Sequence, residues 1–220
     1  MIKFPYGRRD FNEIISENYL YIDRTHHIRF VEEWGKELLF MRPRRFGKSL
    51  WLSTLMNYYD VAKENDFERL FGHLAIGLNP TPMCNKYMVM RWDFSKIPVS
   101  GAIAAIQQVL NEYLNNNMIE FGEKYEQSLK RPVRISENNA FISFDSLVAS
   151  VNQSGYKLYL FIDEYDNFAN EVLMTPKQKT QQETDAQRQR YIDLVKGEGL
   201  FKTLFKNLKS AGSGDGVGPH

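Results

Sequence analysis

The chain has 220 residues, a formal net charge of +1, 43% hydrophobic and 25% charged residues, and a single cysteine, Cys84. So balanced a charge excludes a chain that binds nucleic acid through its overall field, and one cysteine excludes an internal disulfide framework. A chain of this length buries roughly 70% of its unfolded surface, so its core needs no metal or disulfide.

The segment 1–9 holds charges and a proline rather than an apolar stretch, and the longest apolar runs are far too short to cross a bilayer. A soluble, reducing, cytoplasmic setting is therefore expected, with no membrane partner. The first predicted element is a helix over 25–34, capped by Asp23 or Thr25. The run ELLFM (37–41) reads as a buried strand. After Lys48 apolar residues recur at Leu52, Leu55, Met56 and Tyr59, the one-face spacing of a helix, with Trp51, Tyr58 and Tyr59 as packing residues. KYMVMRWDF (86–94) and YKLYLFI (156–162) read as two further buried strands, apolar at most positions as in a parallel sheet covered on both faces. Between them lie two helical stripes. One runs through Ile103, Ile106, Val109, Leu110, Tyr113 and Leu114. The other runs through Phe144, Leu147, Val148 and Val151 and stops at Gly155. Residues 175–190 are polar and glutamine-rich and read as a mobile insert. A helix carrying Leu200, Leu204, Phe205 and Leu208 follows, and 210–220 is a glycine-rich flexible tail. Alternating strands and helices predict an α/β layered fold.

Two motifs carry chemistry. FMRPRRFGKSLWL (40–52) contains Gly47-Lys48-Ser49, the second half of a phosphate-binding loop, between a predicted strand and a predicted helix. Such loops aim backbone N–H groups and a helix dipole at anionic oxygens, while the lysine pairs with the outer phosphates and the hydroxyl reaches Mg²⁺. The first glycine of the usual pattern is replaced by Arg42, and Pro43 removes a further N–H donor. Arg44 or Arg45 is expected to compensate through bidentate phosphate contacts, with Phe46 packing the loop. The bland alternative for these cations is a solvated basic face. The second motif is LYLFIDEYD, an apolar strand leading into Asp163-Glu164, the pattern of a magnesium-organising aspartate beside a glutamate that polarises water. Together the two predict a nucleotide site. His26, His27 and His73 form no metal-ligand pattern with Cys84, and Asp93 reads as a turn cap after its strand.

RPRRFGKSL, the upstream YIDRT (21–25) and the downstream FIDEYDNFANEVL (161–173) resemble the bacterial AAA-ATPase-like family, and the likeness extends from PYGRRDF (5–11) to the 194–209 region. The resemblance implies a three-layer P-loop NTPase-like domain with a mostly parallel sheet, spanning 1–209 here, and ATP with Mg²⁺ as ligands. Carried over, Lys48 and Glu164 would be catalytic, the lysine on the outer phosphates and the glutamate on water. Ser49 and Asp163 would serve the metal, the aspartate mainly through water. Pro43, Arg44, Arg45, Phe46, Gly47, Lys48, Ser49 and Leu50 would form the nucleotide-binding segment. The YIDRT element would lie near the base, although Asp23 reads better as a helix cap. Family members continue past 200–209 into a further strand and usually a PD-(D/E)XK nuclease-like domain, so the sheet is expected to be incomplete at its C-terminal side. A second copy or a neighbouring domain would then supply a strand or an arginine. Two alternatives stay open: a nucleotide-dependent switch with little turnover, and a nucleic-acid binder using the Arg42–Lys48 cluster.

Overall fold

A computed structural model describes residues 2–35, 37–41, 46–98, 103–165 and 206. The expected insert at 175–190, the helix through Leu200 and Leu208, and the tail lie outside the described residues, as do Arg42, Pro43, Arg44 and Arg45. The described chain divides into two compact units, one built on residues 2–89 and 156–161, the other on 90–155 and 162–165.

The first unit is mainly helical. It holds α1 (Phe11–Ser16), α2 (Ile28–Glu33, entered through a 3-10 turn at Thr25–His27), α3 (Lys48–Tyr59), α4 (Phe67–Phe71) and α5 (Ala75–Leu78). Helix α1 begins at Asp10, whose carboxylate accepts the Glu13 amide at 2.8 Å. The sequence signal for it is Asp10 followed three positions later by Glu13, a capping-box spacing ahead of Ile14 and Ile15. Helix α3 is the predicted one. Leu55, Tyr58 and Tyr59 are buried, and Leu50, Trp51, Leu52 and Met56 pack against the same cluster. That cluster is aromatic at its centre. Phe71 stacks on Phe11 with ring centroids 4.9 Å apart and meets Tyr58 edge-on at 5.4 Å.

Asp23 is the structural residue that its spacing suggested. One carboxylate oxygen accepts the Thr25 amide at 2.8 Å and the Thr25 hydroxyl at 2.7 Å, and the other accepts the Ala75 amide at 2.7 Å. It thus starts the 3-10 turn and α5 together. Burial opposes the charged form, yet the bonds from Ala75 and Thr25 outweigh it and hold the carboxyl below its ordinary value. A carboxylate with a depressed folded-state pKa adds stability above its unfolded value, near pH 4, that is lost as pH falls through the lower folded value. Asp23→Ala is expected to cost about 1–2 kcal/mol at pH 7 in urea unfolding, and the deficit should shrink towards pH 3.

Strands β1 (Tyr87–Asp93) and β2 (Lys157–Asp163) pair as a small parallel two-stranded sheet. Parallel neighbours need a long crossover, here α6 (Ile103–Lys124) and α7 (Ala140–Gln153). In the second unit α6 packs on α7. Their buried faces are the predicted stripes: Ile106, Leu110 and Leu114 on α6, and Phe144, Leu147 and Val151 on α7. Gly155, just past α7, has φ +82°, the left-handed conformation in which a helix commonly ends on glycine.

One expected element fails. Residues 37–41 form no strand, and Leu39 and Met41 are 64% and 79% exposed. An apolar run reports a tendency to be buried. It does not name the neighbour whose backbone must complete a ladder, and among the described residues only β1 and β2 form named strands. Among the described residues no helix is long and apolar enough to cross a membrane.

Candidate nucleotide site

The loop half of the predicted site lies in the first unit. Gly47 adopts φ +77° and ψ 20°, left-handed, and its carbonyl accepts the Trp51 amide at 2.9 Å to open α3. A Cβ added there would meet no atom within 4 Å, so space does not demand glycine. Backbone conformation does, because a left-handed L-residue costs roughly 1–2 kcal/mol. Lys48 and Ser49 are the first residues of this twelve-residue helix. Among the described residues α3 has no side-chain N-cap and no acid in its first turn. A helix start usually attracts anions and side-chain acceptors. This one carries a lysine, which its dipole disfavours and an anion would offset.

The YIDRT element lies against the same helix. The Tyr21 hydroxyl is 3.4 Å from Thr54 Oγ1, one helical turn beyond Leu50, whose carbonyl accepts the Thr54 hydroxyl at 3.0 Å. Burial pushes the Tyr21 hydroxyl up from its ordinary pKa. Between the two elements opens a cavity of about 550 Å³. Tyr21, Ile22, Arg24, Phe46, Gly47 and Trp51 are among its walls, so it is mainly apolar and reaches the loop itself.

The acidic half lies in the second unit. Asp163 ends β2 and is 3% exposed. Its Oδ2 accepts a hydrogen bond from Arg91 Nη2 at 2.9 Å, and its Oδ1 accepts the Glu164 amide at 3.1 Å. Arg91, on β1, also reaches Asp93 Oδ2 at 3.3 Å. Asp93 caps the 3-10 turn that follows β1, its Oδ1 accepting the Ser95 amide at 3.2 Å and the Ser95 hydroxyl at 2.6 Å, so the turn-cap reading holds. Glu164 sits at φ 56°, an uncommon left-handed conformation for glutamate, and is half-buried. Backbone strain of that kind costs on the order of 1–3 kcal/mol and tends to gather at functional sites.

Mg²⁺ is a hard cation that takes oxygen ligands and retains several waters, and each unit by itself holds an oxygen donor of that kind. Ser49 offers a hydroxyl at the start of α3, and Asp163 a carboxylate whose oxygens already accept bonds from Arg91 and Glu164. A carboxylate so engaged fits a role through ordered water better than direct ligation. Sequence reading missed Arg91. Its only signal was a charged residue inside an otherwise apolar strand, MVMRWDF.

The described residues define a mixed helix-and-strand protein with a small parallel sheet and a glycine-led helix opening on Lys48-Ser49. The chain belongs to the family described as predicted AAA-ATPase, whose model matches residues 5–210. It is similar to an uncharacterized protein in the vnfD 5′ region of Azotobacter chroococcum mcd 1, 28% identical over 181 residues, which cover 80% of this chain and 31% of that protein. The chain thus spans less than a third of the length of that relative. No solved structure matches it.

Proposed function

We propose that the chain is an ATP–Mg²⁺-binding P-loop module, formed by residues 1–209, that hydrolyses ATP by attack of water on the γ-phosphate. The start of α3 carries this reading: a left-handed Gly47, no described side-chain cap, and a lysine where the dipole favours an anion. Family membership supports ATP as the nucleotide.

In this reading the amides of Gly47, Lys48, Ser49 and Leu50 bind phosphate oxygens, and the Lys48 ammonium pairs with the outer phosphates. Pro43, Arg44, Arg45 and Phe46 complete the loop, the arginines standing in for lost backbone donors. The Ser49 hydroxyl would hold Mg²⁺, with the Asp163 carboxylate serving it through ordered water. When bound, the ion would supply charge neutralisation for the phosphates. Glu164, turned out of the strand direction by its left-handed backbone, aligns the attacking water and accepts its proton. The cavity beside the loop takes the base against Tyr21 and Trp51. An arginine from a second copy or a neighbouring domain completes charge stabilisation, as in other phosphoryl-transfer sites.

The engagement of both Asp163 oxygens by its own chain favours one rival, a nucleotide-dependent switch with negligible turnover. Phosphate release separates the two. ATP with Mg²⁺ at a hundred times Kd should stabilise the parent by about 2.7 kcal/mol in a thermal melt. The parent should release phosphate, and Glu164→Gln should keep the thermal shift while losing most of the release. Equal release from both would remove Glu164 from its role. A thermal shift without release would favour the switch, and no shift with any nucleoside triphosphate would end the reading.

A further inference from the structure

Arg91 is the strongest charged feature that the proposed chemistry does not use. It stands on β1 between two carboxylates, 2.9 Å from Asp163 and 3.3 Å from Asp93. Its Nε is buried with no hydrogen-bond partner among the described residues, and both of its contacts with the carboxylates are made by Nη2. That is a poor setting for a purely structural arginine, because burying an unpaired donor costs free energy that a full set of bonds would avoid. The three side chains sum to one negative charge. Without the guanidinium they would form a two-carboxylate cluster of charge −2, an oxygen-rich site for a divalent cation.

We propose that Arg91 acts as a latch on Asp163. By occupying Oδ2 and placing a positive charge beside it, Arg91 keeps the carboxylate from ligating a divalent cation directly. The metal therefore enters only with the triphosphate that carries it. This rests on the reading of Asp163 as the metal-side carboxylate and adds a rule of order to it: nucleotide and metal together, never metal first. Arg91 is a positioning residue and touches no reacting atom. Asp93 has its other oxygen committed to Ser95.

The test uses the full chain and Mn²⁺ as the probe, without nucleotide, with free ion followed by paramagnetic resonance. The parent should show no saturable binding at millimolar Mn²⁺. Arg91→Gln should gain a site, roughly tenfold tighter or more than anything in the parent, since it removes a cation in contact with the carboxylate. The Arg91→Gln/Asp163→Asn double variant should lose that site again. Arg91→Lys keeps the charge on a shorter and less rigid side chain, should be intermediate, and decides the matter if Arg91→Gln does not fold. Saturable binding by the parent, or Lys and Gln variants that bind no better than the parent, would overturn the latch. The outcomes separate from the ATP reading: a parent that is stabilised by ATP–Mg²⁺ while the Arg91 variants gain nothing refutes the latch alone. A gained Mn²⁺ site in a chain that ignores ATP leaves the latch standing and sinks the nucleotide.

Discussion

Lys48→Ala is expected to abolish most of the stabilisation by ATP–Mg²⁺ while leaving the ligand-free protein folded. A charge-assisted contact of this kind is worth about 1.5–3 kcal/mol, so Kd should rise at least roughly tenfold in a nucleotide titration. The second half of the expectation distinguishes binding from folding. A cation at a helix start is disfavoured by about 0.3–1 kcal/mol, and alanine is the best helix former. The ligand-free melting temperature should therefore hold or rise. If the variant instead lost stability and kept its nucleotide affinity, Lys48 would be a packing residue and the loop half of the site would fall.

The largest effect on stability is expected at Phe71. The side chain is fully buried, stacks on Phe11 at 4.9 Å and on Phe67 at 5.5 Å, and meets Tyr58 edge-on. Phe71→Ala removes a ring from the meeting point of α1, α3 and α4, and should cost about 3–5 kcal/mol in urea unfolding. Against a total that is typically 5–15 kcal/mol, such a loss leaves a marginal protein. Phe71→Leu, which refills much of the space, should cost clearly less. A loss below about 1 kcal/mol on Phe71→Ala would show that the aromatic cluster is not the centre of the first unit's core.

Periodicity carried most of the fold. The stripes through Leu55 and Tyr59, through Ile106, Leu110 and Leu114, and through Leu147 and Val151 all mark the buried faces of helices, because one-sided burial forces a helix to repeat near 3.6 residues. Both paired strands lie within one residue of their predicted limits. Leu38 to Met41 show where composition stops informing. Their apolarity is plain, but strand formation depends on a hydrogen-bonding partner elsewhere in the chain. Helices α1 and α4 are too short for a periodic signal and were not anticipated, although the Asp10–Glu13 spacing is one that could have marked the first. Gly47 was legible from the Gly-Lys-Ser pattern ahead of a helical stripe, and Asp23 because a carboxylate before a helix has an obvious task. Arg91 was not legible. A charge inside an apolar strand has meaning only once its partner, more than seventy positions away, is known.

Helix α3 is fastened along its length by separate segments. Ser53 Oγ accepts the Phe11 amide at 2.9 Å, Tyr21 reaches Thr54, and Asn85 donates its amide to the Tyr58 carbonyl at 2.9 Å and its side chain to the Asp60 carbonyl at 2.6 Å. In the nucleotide reading proposed above, an arriving anion would meet a helix whose placement was fixed when the chain folded. The entropy of ordering that helix falls on folding, so a ligand bound at its start would not bear that cost.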